Sequence, residues 1–288
     1  MEKFLKHWDD VFKEWHDTGV IPEPEAYWEP FVEKIGLLPE LMPEPYMGDP
    51  DNCSIVIMNY NPGAANYDNE EIKKKYTTDT SHHSRISDPE SMVYHYVDNY
   101  REQVKKCSYI GPKSDPMYDC SGLSQEGKCW WCKRLIWIKE LVPNSDKLPF
   151  TLELCGWHSV KWKPFKYTPE LLDSLKRLLA PAIDEAIKNS DLGIGLCIGA
   201  QWSSDVLPHF GYEDVTSEVM DIQGYKRGWT PLGGTRKYCI LRNDKGTYII
   251  NTWKSGYKNM DVPKPEFRPV EKDMIEKINA HRQKGTVN

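Results

Sequence analysis

No stretch of the 288-residue chain approaches the roughly 18 consecutive apolar residues of a membrane-spanning helix, so neither a span nor a membrane partner is expected. The first ten residues, Met-Glu-Lys-Phe-Leu-Lys-His-Trp-Asp-Asp, lack the apolar core and small-residue cleavage site of a secretory leader. A cytoplasmic location is the expectation. G-x-G-x-x-G and the Walker lysine are also missing, which takes support from dinucleotide-binding and P-loop readings. There is no internal repeat or low-complexity tract. With 39% hydrophobic and 12% aromatic residues the chain has the means to bury a core, so disorder is excluded and one domain over 1–288 is expected.

Charge is mildly acidic overall, 37 basic side chains against 43 acidic. Its distribution is uneven. Between Gly224 and Lys258 stand eight basic residues, Lys226, Arg227, Arg236, Lys237, Arg242, Lys245, Lys254 and Lys258, with Asp244 as the single acid. Phosphate contacts act within a Debye length and do not read net charge, so this segment suits a polyanion even on an acidic protein. A solvated basic face would look the same in sequence.

The eight cysteines fall into two groups. Cys53, Cys155, Cys197 and Cys239 lie in or beside strand-like apolar runs, where a thiol behaves as a small buried hydrophobe. Cys107, Cys120, Cys129 and Cys132 crowd into a Gly-, Pro-, Ser- and Asp-rich segment ending in Cys-Trp-Trp-Cys. A C-x2-C pair with two further thiolates can complete one tetrahedral structural zinc site. A reduced, unliganded set and an iron–sulfur cluster are the other readings, and no metal is needed for catalysis in any of them.

Phe4, Leu5, Trp8, Phe12 and Trp15 repeat at helical spacing, and Pro22, Pro24 and Pro30 follow, so residues 1–50 read as a helical cap. Strands are expected at 54–59, 150–155, 193–198 and 247–251, with 237–241 hairpinned to the last through Asn243-Asp-Lys-Gly246. Thr168 and Pro169 mark the start of a helix whose apolar face runs from Leu171 to Ile187. Strand and helix alternate. The expected fold is α/β, a three-layer αβα sandwich on a mostly parallel sheet of about four strands, with a cysteine-bearing insertion at 66–149 and a C-terminal helix within 261–288. Ligands of such sheets bind beyond the carboxyl ends of the strands.

Residues at those ends follow a pattern. Asn59-Tyr-Asn61-Pro-Gly63 follows the first strand, Leu196-Cys-Ile-Gly-Ala200 turns the third into a helix, and Asn251-Thr-Trp-Lys-Ser-Gly-Tyr257 follows the last. Taken together and in this order, they resemble the uracil-DNA glycosylase superfamily, in particular the branch whose first motif is G-I-N-P-G, over roughly residues 53–260. The second motif departs from the family's H-P-S or N-P-S-G, having no proline and extra residues, and the cysteine insertion has no counterpart in the minimal fold.

The resemblance implies a DNA glycosylase that hydrolyses the N-glycosidic bond of uracil or a modified pyrimidine in DNA, in repair or in defence against phages with modified DNA. Asn61 would position the water, with Asp68 the nearest acid in sequence. Tyr60, Tyr67, His158 and Asn251 would receive the flipped base, and Lys254, Ser255, Gly256 and Lys258 would grip the DNA backbone. DNA is the expected partner and a monomer the expected state. Two other classes stay open: a catalytically inactive, glycosylase-like nucleic-acid sensor, and a nucleotide hydrolase or transferase.

Overall fold

The computed structural model describes residues 1–39, 43–62, 134, 137–159, 162–163, 165–226, 228–231, 235–254 and 263–285. Its centre is a seven-stranded sheet. The strands are β1 (Tyr46–Met47), β2 (Val56–Asn59), β3 (Phe150–Glu153), β4 (Ile194–Ile198), β5 (Glu213–Asp214), β6 (Arg236–Arg242) and β7 (Tyr248–Lys254), arranged β1-β3-β2-β4-β7-β6-β5. Strands β3, β2, β4 and β7 are mutually parallel, while β1, β6 and β5 add antiparallel edges. The four strands expected from the apolar runs are the parallel ones. The expected hairpin is present as well, closed by Gly246 at φ +78°.

Alternation along the buried strands divides two cores. On one face Val56, Met58, Leu152, Cys197 and Ile249 pack in one core with helices α1 (Glu2–Thr18), α2 (Pro169–Asn189) and the short α3 (Leu207–Phe210). Helix α1 buries Phe4, Trp8, Phe12 and Trp15 of the stripe read from spacing, with Val11 beside them, while Leu5 of that stripe is half-buried. Helix α2 starts as expected, with the Thr168 hydroxyl accepting from the Leu171 N–H at 3.3 Å and Pro169 in the first turn, a cap that contributes about 1 kcal/mol. On the other face Ile57, Leu196, Ile240 and Ile250 meet Trp137, Ile138 and Leu141 of the helical residues 137–141, Val219 and Met220 of α4 (Thr216–Met220), and Met274 and Ile278 of α5 (Arg268–Gly285). Helices therefore cover both faces, and three layers result.

Two expectations need correction. The sheet has seven strands where about four were expected: the hairpin strand β6 joins it, and β1 and β5 are two-residue strands with no periodicity to read. The last strand also does not end at Asn251. It continues to Lys254, since β6 begins at Arg236 and pairs with it along its whole length, Arg236 opposite Lys254. Most of the expected insertion, including Cys107, Cys120, Cys129 and Cys132, lies outside the described residues. Cys53, Cys155, Cys197 and Cys239 are buried, as their apolar surroundings suggested.

In the parallel run, β2 has β3 on one side and β4 on the other. The connection leaving β2 runs to β3 and those leaving β4 run toward β7, so the lateral direction reverses between β2 and β4, and ligands of parallel sheets bind beyond the carboxyl ends of the strands at such a point.

Candidate functional site

The segments leaving β2 and β3 stay joined past the strand ends. Leu154 N–H donates to Asn59 C=O at 3.0 Å, Cys155 N–H to Tyr60 C=O at 2.9 Å and Ser159 N–H to Pro62 C=O at 3.2 Å. This ladder fixes Asn61 against residues 157–159. The Asn61 Nδ2 donates to the Trp157 carbonyl at 3.1 Å, to the Ser159 hydroxyl at 2.9 Å and to the Pro62 carbonyl at 3.0 Å. An amide nitrogen has two hydrogens, so these acceptors occupy its whole donor capacity. What the residue still offers is its Oδ1, an acceptor held in place by the fixed other end.

His158 lies inside the segment that Asn61 clamps. It is buried, and its Nε2 stands 3.7 Å from the Glu44 carboxylate, which is carried by the chain entering β1 and tied there by a Glu44 N–H to Gly156 C=O bond of 2.8 Å. One strand further in, Asn59 and Glu153 end β2 and β3 as register partners, so their side chains share a face. Asn59 Nδ2 donates to Glu153 Oε1 at 3.0 Å, and both residues are buried. Burial pushes the Glu153 carboxyl up to about 8; the Asn59 hydrogen bond and the Arg134 guanidinium pull against that rise, and the Glu44 charge adds to it. Neither Glu44 nor the Asn59–Glu153 pair was singled out from sequence. The pair spans 94 positions, a separation that no local pattern reports.

Tyr60, expected to receive the base, supports the site from below. Its ring stacks on Trp162 at 5.5 Å between centroids and on Trp202 at 6.5 Å, and its hydroxyl accepts from the Gln201 N–H at 2.7 Å. Gly199, at φ +124°, makes this possible, since a Cβ there would stand 2.3 Å from the Tyr60 hydroxyl. The half-buried Trp162, with its indole N–H donating to Gln201 Oε1 at 3.2 Å, is the aromatic surface of this edge that sequence reading missed. Tyr67 and Asp68 lie outside the described residues.

Asn251 sits mid-strand with no exposure, between Cys197 of β4 and Cys239 of β6 in register, and neither polar atom of its amide has a hydrogen-bond partner among the described residues. Lys254, half-buried, ends β7; Ser255, Gly256 and Lys258 lie outside the described residues. Beside Lys254, the buried Arg236 donates to the Thr252 hydroxyl at 3.0 Å. Among the described residues no group of three or more His, Cys, Asp or Glu side chains is placed to hold a metal ion, and no helix is long and apolar enough to cross a membrane.

Asn61, His158 and Glu44, with Asn59 and Glu153, are thus brought to one end of the β2–β3 pair, and Lys254 to the end of β7. Such an edge supplies a fixed acceptor for a water, a histidine–carboxylate pair, and a protonatable carboxyl, which are the parts of acid–base hydrolysis. Comparison of the chain with family models, with curated proteins and with solved structures finds no match.

Proposed function

We propose that the protein is a DNA glycosylase that hydrolyses the N-glycosidic bond of uracil or a modified pyrimidine flipped out of the duplex. The observation that carries this reading is the clamped amide of Asn61. Departure of a base leaves positive charge on the sugar and negative charge on the base, so the attacking water must be held with a lone pair toward the sugar. An acceptor that takes the water's O–H does this, and Oδ1 of Asn61 is such an acceptor because Trp157 and Ser159 hold the nitrogen end. It stands just beyond the carboxyl end of β2, and ligands of parallel sheets bind beyond the carboxyl ends of the strands. An amide is no strong base, so leaving-group stabilisation by donors on the other side must supply the remaining rate.

Lys254, Ser255, Gly256 and Lys258 serve as the phosphate grip in this proposal, Tyr67, His158 and Asn251 as residues around the base, and Asp68 as the acid assisting Asn61. The reading is tested by incubating the protein with duplexes carrying uracil, mismatches or modified pyrimidines, then cleaving abasic sites with alkali. Strand scission at one of these bases is expected. Tight duplex binding without scission from any of them would replace the enzyme with a nucleic-acid sensor.

The four insertion cysteines, Cys107, Cys120, Cys129 and Cys132, are proposed to hold one structural zinc. Protein purified without added metal is expected to carry about one equivalent by elemental analysis. Four freely titrating thiols in metal-free native protein would sink that assignment.

A further inference from the structure

We infer that residues 37–39 and 43–45 form a proton-dependent clasp on residues 156–159, closed while His158 is charged against Glu44 and loosened as His158 loses its proton. What the clasp regulates rests on the glycosylase reading, since the same segment carries the acceptors that hold Asn61. The clasp itself stands on geometry.

Residues 156–159 are held from two sides. On one side are residues 60–62, through the Ser159 N–H to Pro62 C=O bond and the bonds of the Asn61 amide to the Trp157 carbonyl and Ser159 hydroxyl. On the other, Leu37 forms an isolated antiparallel bridge with Ser159, Leu38 N–H donates to the His158 carbonyl at 2.9 Å, and Glu44 N–H donates to the Gly156 carbonyl at 2.8 Å. The first arm is anchored by Trp15 of α1, whose indole N–H donates to the Pro39 carbonyl at 2.7 Å. The second runs into β1, with Glu153 N–H donating to the Pro45 carbonyl at 2.9 Å. These backbone ties do not titrate. The side-chain tie does: His158 Nε2 stands 3.7 Å from Glu44 Oε2, inside ion-pair range but past a hydrogen bond, so the attraction depends on the imidazole carrying charge.

The two side chains are 7% and 20% exposed, so water and salt screen the pair less than they would at the surface. Among the described residues, the other titratable or charged groups around it are Glu153 and Cys155 on the same stretch of chain, Arg134 ahead of the helical residues 137–141, and Glu25 within residues 23–31. None of the acids takes the place of Glu44. Burial keeps the Glu153 carboxyl neutral up to about 8 and holds the Cys155 thiol well above its ordinary range, while Glu25 is already engaged by His7 at 2.7 Å and by the Tyr27 hydroxyl. The Arg134 charge bears on Glu153. A clasp closed on the charged pair binds the His158 proton better than an open one. That part of its stability is therefore present below the range in which imidazoles titrate and is lost as pH rises through it.

Amide hydrogen exchange reads the clasp directly, because the Leu38 and Glu44 N–H groups are two of its ties. Exchange is followed by NMR on the full chain from about pH 5.5 to 7.5, each rate divided by that of the same amide in an unfolded chain. Wild-type protection at both amides is expected to fall by roughly threefold or more across that range. Glu44→Gln and His158→Gln are each expected to start from the lower protection and lose the dependence, and the double variant is expected to match either single one. Amides of α2 and thermal melts report the rest of the fold. Either single variant keeping the wild-type pH dependence, or two losses that add in the double variant, would overturn the inference. On a duplex that releases base, the ratio of wild-type to Glu44→Gln kcat is expected to be about threefold larger at the acid end of the range than at the other; a constant ratio would overturn the clasp's hold on Asn61. Were no base released from any duplex, the glycosylase reading would fall, and exchange alone would decide the clasp.

Discussion

Glu153 and Glu271 are both buried carboxyls pushed up to about 8 by burial, and both have arginine nearby. Their settings differ. Glu271, on α5, accepts from the Trp137 indole N–H at 2.5 Å, and the charges of Arg236 and Arg268 lie close; Arg268 in turn bonds Glu140 and Arg236 bonds Thr252. It ties α5 to the helical residues 137–141 and to β6 at the antiparallel side of the sheet. Glu153 has a neutral amide as its bonding partner, an acid and a base of opposing effect, and a position at the carboxyl end of a parallel strand. A raised carboxyl is therefore no site marker by itself. What separates the two is whether the surrounding groups use the carboxyl to join elements or leave it facing the strand ends.

Removing each carboxyl should break that comparison apart. Glu271→Ala deletes the bond that the buried Trp137 indole N–H makes and hollows out the place where α5, the helical residues 137–141 and β6 meet, an expected loss of about 1–3 kcal/mol in urea unfolding. Glu153→Gln keeps the Asn59 bond and should change stability by less than about 1 kcal/mol at pH 6. The pH dependence should be common to both. Each carboxyl is protonated in the folded chain up to about 8 but ionised above its ordinary range when unfolded, so the folded state binds more protons between about pH 5 and 8. Stability should fall as pH rises through that window, by roughly 1 kcal/mol per pH unit for each group, and each Glu→Gln change should remove its share. A loss of under 1 kcal/mol for Glu271→Ala, or a flat pH profile in the wild type, would erase the distinction.

Asn61 sharpens the same contrast within the site. Asn61→Ala should lower the single-turnover rate of base release by roughly 10²-fold or more, since positioning of a reactant carries several kcal/mol. It should also cost about 1–2 kcal/mol in stability, because the Trp157 carbonyl and Ser159 hydroxyl lose their donor. Binding to duplex should be retained. Full base release by Asn61→Ala would move the water elsewhere on this edge.

Much of the frame was legible because it is written in local pattern. Apolar runs marked the four parallel strands, Asn243-Asp-Lys-Gly246 marked the hairpin, and Thr168-Pro169 marked the start of α2. The parts that escaped depend on pairing at a distance. Nothing near Asn59 indicates that Glu153 will face it, and nothing near Glu44 indicates His158. Tyr60 looked like a surface for a base because it adjoins Asn61, yet its ring stacks on Trp162 and Trp202, contacts set by the β4 turn at Gly199. Asn251 looked like the start of a loop, whereas pairing with β6 carries the strand three residues further.

Lys254 offers the smallest effect and tests whether the β7 end touches DNA. Arg236 and Lys254 are register partners at the same end of the hairpin, but Arg236 is buried against Thr252 while Lys254 is half-buried at the last position of the strand. A buried guanidinium releases no counterion when a duplex arrives; a lysine at the rim does. Lys254→Ala should therefore weaken binding alike for uracil-bearing and ordinary duplexes, and it should flatten the plot of log affinity against log salt by about one unit. Base release at saturating DNA should change little, because the grip lies apart from Asn61. Fluorescence anisotropy with one labelled duplex across a salt series measures this directly. A slope equal to wild type would show that the duplex is held by other cations, and the basic segment around β6 and β7 would then be a solvated face.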